Sequence, residues 1–188
     1  MKTRKLAAAA VAATVALTAA ACGDDDGSEA GGNGTDRAFA LAMIPHHQSA
    51  VEMAKIAQDR GRSAFVKQLA DDIVRTQTSE IETLRNEDEG LDTAGVEKGT
   101  LGMSEHAMGM SDDPAMLRDA KPFDEAFLKM MIPHHRGAVA MARAELAKGE
   151  DPQLRALAQD IIDAQQREIT EMRDELGMSG GGAMHDGA

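Results

Sequence analysis

Two histidine pairs, each behind a methionine, an isoleucine and a proline, are the residues of this sequence best suited to chemistry. Met43–His47 reads MIPHH, and Met131–His135 reads MIPHH again. Imidazole is the commonest metal-binding side chain. Thioether sulfur and neutral imidazole together form an uncharged, soft-to-borderline donor set, which selects Cu(I), or its mimic Ag(I), over Mg, Ca or Mn. Zinc sites would more often add Cys or carboxylate. On a helix, residues four apart sit about 6 Å apart along the axis and residues ten apart about 15 Å. Met43 and His47 can therefore serve one ion, and Met131 and His135 another. His46 and Met53 share an angular stripe but lie two turns apart, so Met53 and Met141 belong to a second site or to the core, where methionine is an ordinary gap-filler. Pro45 and Pro133 lack an amide hydrogen and clash with the preceding turn, so each marks a kink or a fresh helix start. Two Gly-rich segments repeat the theme as auxiliary metal ligands: MSEHAMGM, with Met103, His106, Met108 and Met110, and the tail, with Met178, Met184 and His185. In polar surroundings an exposed methionine invites oxidation, so ligand use is the better explanation for both.

The elements that must position these residues come from an internal duplication. Asp36–Glu87 aligns with Asp124–Glu175 without a gap, matching Phe39 to Phe127, Ala50 to Ala138, Met53 to Met141, Leu69 to Leu157, Ile73 to Ile161, Gln77 to Gln165 and Glu80 to Glu168. In the second half of each copy apolar residues recur at threes and fours, as on an amphipathic helix, and strand signals are absent. Ser63 and Asp151 read as N-caps, with Pro152 at the first helical position. Gly61 and Gly149 divide each copy into two helices, as left-handed C-caps would. Two hairpins around one axis, related by a pseudo-two-fold, bury all four apolar stripes, which predicts an all-α four-helix bundle with a long crossover. The expected boundaries are 36–88 for the first copy, 89–121 for the crossover and 122–176 for the second copy, with a flexible Met/His tail over 177–188. Gln77, Glu80, Gln165 and Glu168 fall on or beside the apolar seam. They are candidates to hold imidazole tautomers, or part of a solvated helix face.

The ends and the composition bound the setting. Residues 1–21 carry Lys2, Arg4 and Lys5 ahead of an Ala/Val/Leu run, the pattern of a secretory signal. Cys22, the single cysteine, stands where a lipoprotein is cleaved and lipidated, although Ala19 occupies a position where such signals usually carry Leu; the alternative is an ordinary cleaved signal with an incidental cysteine. A single cysteine excludes an intrachain disulfide. Residues 22–35, rich in Gly and Asp, form a lipid-anchored flexible linker. The expected location is therefore the outer face of the cytoplasmic membrane, with membrane contact through the lipid alone. The formal net charge is −12, more negative still without the basic leader, and it disfavours nucleic acid as a partner. With no Trp, no Tyr and four Phe, the core must be aliphatic and methionine-based.

The stretches MIPHHQSAVEMA and FLKMMIPHHRGAVAMA, each followed by a helix of the type ADDIVRTQTSEI or AQDIIDAQQREI, resemble the bacterial extracytoplasmic family catalogued as domain of unknown function 305. That family includes CopM-like copper metallochaperones, and the resemblance spans Asp36 to about Leu176. It implies a ferritin-like bundle and copper binding by Met43, His46, His47, Met53, Met131, His134, His135 and Met141. The first copy departs at Val74 and Leu84, which leaves Met172 without a counterpart. The expected function is a binding protein, a Cu(I) chaperone or scavenger that passes the ion to a receiving protein or keeps it harmless. The rival is a ferritin-like metal oxidase, whose carboxylate-bridged site uses Glu-x-x-His; that motif is absent and Gln-x-x-Glu stands in its place. A structural lipoprotein without metal is the third reading.

Overall fold

The computed structural model describes residues 31–111 and 113–178. The leader, Cys22, Met184 and His185 lie outside the described residues. Four long helices follow the duplication: α1 Gly34–Arg60, α2 Ala64–Thr93, α3 Phe123–Lys148 and α4 Pro152–Glu175, with a short 3-10 helix Pro114–Arg118 in the crossover. None of the described helices is long and apolar enough to cross a membrane.

Three of the four long helices start on a short polar side chain, and α3 starts after Pro122 without one. Asn33 accepts from Thr35 and Asp36 N–H, Ser63 from Val66 N–H, and Asp151 from Gln153 and Leu154 N–H, with Pro152 just inside α4. The expected left-handed C-caps are corrected. Gly61 and Gly149 adopt negative φ and extended ψ. Glycine is required there by contact: a Cβ at Gly61 would lie 2.6 Å from the Ala57 carbonyl oxygen, and one at Gly149 would lie 2.0 Å from Glu145 Oε1. Pro45 and Pro133 lie inside continuous helices, so neither starts a new one. Helix α2 runs to Thr93, beyond the expected end of the first copy.

The three-residue connections make α1–α2 and α3–α4 antiparallel hairpins, and these meet chiefly through α1 against α3. Each hairpin's first helix caps the other's bend. Asp124, at the start of α3, accepts from Ser63 N–H at 2.8 Å and Arg62 N–H at 3.0 Å. Asp36, at the start of α1, accepts from Asp151 N–H at 2.9 Å and Glu150 N–H at 3.0 Å. These reciprocal contacts set α1 and α3 antiparallel and bring their midpoints, the two MIPHH motifs, to one level. The apolar core is accordingly split in two. One half gathers Phe39, Met43, Leu84, Met141, Leu154 and Ile161; the other gathers Met53, Val66, Ile73, Phe127, Met131 and Met172. Burying each such side chain contributes about 1.5–3 kcal/mol, and every half draws on both copies, so neither hairpin completes a core alone.

Candidate metal centre

The layer between the two core halves is polar. His46, His47, His134 and His135 are all buried, His134 being the most exposed at 4%. The His46 and His134 rings lie with centroids 3.8 Å apart, and the His46 and His47 rings 6.1 Å apart. Helical spacing alone places neighbouring histidines of one pair on different faces; the antiparallel crossing of α1 and α3 then gathers the two pairs into one layer.

Outer partners hold part of this layer. His46 Nε2 lies 3.1 Å from the His134 carbonyl oxygen. His135 Nε2 hydrogen-bonds Glu168 Oε2 at 2.6 Å. His47 Nε2 lies 2.8 Å from Glu80 Oε2, close enough for an ion pair but out of line for a hydrogen bond. Glu80 and Glu168 thus face the second histidine of each pair. Gln77 and Gln165 are also buried, each with an unpartnered Oε1. An imidazole whose Nε2–H donates to a carboxylate presents a bare lone pair at Nδ1, and His135 has this arrangement.

Nδ1 of all four histidines is buried without a hydrogen-bond partner, as are Nε2 of His47 and His134. Leaving that many polar atoms unpaired costs free energy at each one. Burial pushes the His46 imidazole down to about 3, helped by the neighbouring His47 and His135 rings, while backbone groups of His134 and Met108 act in the opposite direction. Burial, with the same cluster of rings, also holds His134 well below its ordinary value. These two rings are therefore neutral at pH 7, the state in which imidazole ligates a metal.

The thioethers sort by core half rather than by copy. Met43 of the first copy and Met141 of the second lie on one side of the layer; Met53 and Met131 lie on the other. All four are fully buried. Among the described residues, no three His, Cys, Asp or Glu side chains converge on a common point as a preformed metal cage. An ion held here would have to complete its shell with thioether sulfur, which fits a soft cation better than a hard one.

The crossover methionines are less exposed than the sequence suggests: Met103 and Met108 are half-buried against the Met43/Met141 core half. The turn Ser104–Met110 is closed by its own hydrogen bonds, Met108 N–H to the Ser104 carbonyl and Met110 N–H to the Glu105 carbonyl. His106 is exposed, with Nδ1 3.0 Å from Ser111 Oγ, and Met110 is half-buried. Sequence reasoning also missed a second buried ionisable site, Asp36 with Glu145 at the α3–α4 bend. The mismatch of Glu145 with Ala57 across the duplication was the available signal.

The family model described as Domain of unknown function (DUF305) matches residues 36–176. The chain belongs to the DUF305 family. Among solved structures, CopM in the Cu(I)-bound form is 32% identical with a TM-score of 0.63, covering 78% of this chain and 98% of that one. CopM in the Cu(II)-bound form is 33% identical with a TM-score of 0.65, covering 76% and 95%. A DUF305 protein from Streptomyces coelicolor is 32% identical with a TM-score of 0.65, covering 81% of this chain and 98% of its own. An uncharacterized protein of Acanthamoeba polyphaga mimivirus is 43% identical over 53 residues, 28% of this chain; that stretch spans only 35% of the viral protein. The DUF305 match covers both MIPHH motifs and all four helices except the first two residues of α1.

Proposed function

We propose that this DUF305 protein is an extracytoplasmic copper-binding protein, a Cu(I) chaperone or scavenger rather than an enzyme. The observation that carries the reading is the layer of four buried imidazoles with unpartnered Nδ1 atoms, flanked on both sides by buried thioethers. Copper is the cargo. His46, His47, His134 and His135 supply nitrogen, and Met43 with Met141, or Met53 with Met131, supply sulfur. Glu80 and Glu168 orient the second imidazole of each pair. CopM, of the same fold and about a third identical, has been solved with Cu(I), Cu(II) and Ag bound, which supports a soft-metal cargo here. An uncharged donor set favours monovalent copper and silver over zinc. The acidic chain suits cation capture.

In this reading the leader exports the protein, Cys22 carries the lipid that tethers it to the membrane, and the ion passes to a receiving protein. A competition titration of the purified protein under reducing conditions tests the cargo: Cu(I) and Ag(I) should bind far more tightly than Zn(II), and equal affinities would sink the assignment.

A further inference from the structure

Resting on that reading, we propose that the crossover turn Met103–Met110 is the port through which a soft monovalent ion reaches the buried layer, with Met103 and Met108 as transient thioether ligands. The histidines themselves have no exposed edge to meet an ion from solvent. The two sides of their layer are closed differently. On the Met53/Met131 side the crossover contributes Leu117, fully buried and without a donor atom, while its neighbour Met116 is 64% exposed and outside that core half. On the Met43/Met141 side the cover includes the Ser104–Met110 turn, whose Met108 and adjoining Met103 are half-buried against the core half that holds Met43 and Met141. On this side the crossover places two thioethers, Met103 and Met108, beside the sulfur-free Leu91, Val96 and Leu101; on the other side, among the described residues, it packs no sulfur against the core half. An ion can step along the two thioethers by ligand exchange without ever being bare.

The turn is seated at the motif itself. A Cβ at Gly137 would lie 2.0 Å from the Met108 carbonyl oxygen, and one at Gly109, where φ is +74°, would lie 2.9 Å from the Pro133 carbonyl oxygen and 3.0 Å from His134 Cα. Two glycines, one on each partner, thus let the crossover backbone rest directly on α3 beside His134. The first copy has Ser49 where the second has Gly137, so α1 lacks the matching seat. Turn bonds internal to Ser104–Met110 allow it to lift as a unit while its own backbone stays satisfied.

The test is rapid-mixing uptake of Ag(I) by the purified protein, paired with equilibrium titration. Met103→Leu/Met108→Leu keeps apolar volume and removes both sulfurs; Met130→Leu, a half-buried methionine on the opposite core half, is the control. The double variant should take up Ag(I) at least tenfold more slowly, with final stoichiometry and affinity unchanged and the control at the wild-type rate. Uptake by the double variant at the wild-type rate would overturn the port while leaving the buried site standing. Slow uptake in Met130→Leu instead would put the route on the other side and also overturn it. A loss of equilibrium affinity in the double variant would make these sulfurs permanent ligands, contradicting a transit role. No Ag(I) bound by the wild type would refute the buried site itself, and the port with it.

Discussion

The two bends of the molecule are built from one duplicated plan, but one of them buries acids that the other lacks. At the α1–α2 bend, Asp124 accepts two backbone N–H groups and the neighbouring position in α1 is Ala57. At the α3–α4 bend, Asp36 accepts from Asn33, Glu150 and Asp151, and the position equivalent to Ala57 is Glu145, fully buried beside it. Burial first, then the hydrogen bond to Asp36 and its charge, push Glu145 up to about 8, with Arg155 opposing and Asp151 adding to the rise. Burial would raise Asp36 as well, but the hydrogen bond from Glu145 and three backbone N–H groups win and hold it below its ordinary value. The pair therefore shares one proton at neutral pH, as two close carboxyl groups must. A fold can keep its geometry through a duplication while one copy acquires an ionisable lock that the other lacks.

Removing the two caps should give the largest contrast. Asp36→Ala strands three backbone donors and Glu145, so it should destabilise by about 3–4 kcal/mol. Asp124→Ala exposes two N–H groups to solvent and should cost about 1 kcal/mol. Equal losses in urea unfolding would mean that the bends are equivalent after all.

Glu145 binds its proton more tightly folded than unfolded, so its contribution is fully present below the ordinary glutamate pKa of 4.5 and is lost as pH rises through about 8. Over that window stability should fall by roughly 2–4 kcal/mol from this group. Glu145→Gln keeps a donor toward Asp36 and should flatten the decline, whereas an unchanged slope would assign the decline to another group. Writing the first copy's residue into the second at the crossover seat, Gly137→Ser, should cost about 1–3 kcal/mol, because the added side chain displaces the Met108 backbone. The smallest effect belongs to Met172→Leu, which restores the Leu84 equivalent. As a near-volume-conserving change it should cost less than about 1.5 kcal/mol and leave Cu(I) affinity unchanged; a loss of affinity would promote Met172 from packing to ligand.

The same comparison shows what the sequence could reveal. Gap-free duplication and helical periodicity were enough to predict four helices in two hairpins, because each apolar stripe is written locally. The histidine pairs stood out as duplicated imidazoles on apolar helices, but their joining into one layer was not legible, because spacing within one copy assigned each pair its own ion and only the antiparallel crossing of α1 and α3 brings them together. The division of Met43 with Met141 from Met53 with Met131 was only half legible, since helical spacing separates Met43 from Met53 but cannot say which copy each joins. Gly61 and Gly149 misled, because their small size serves a close approach to α1 or α3 and not a left-handed turn. The crossover was the least readable segment. Met103 and Met108 are fixed by contacts with residues distant in sequence and carry no period, and a lone Glu145 on a helix reads as solvated until its neighbour Asp36 is known.

The central claim is that the imidazole layer is the copper site, and the most direct measurement is Cu(I) competition by native mass spectrometry on the wild type beside a variant with His46, His47, His134 and His135 all replaced by Leu, its helicity checked by circular dichroism. The wild type should retain Cu(I), and the helical variant should lose at least a hundredfold in affinity. A helical variant that binds Cu(I) as tightly as the wild type would contradict it.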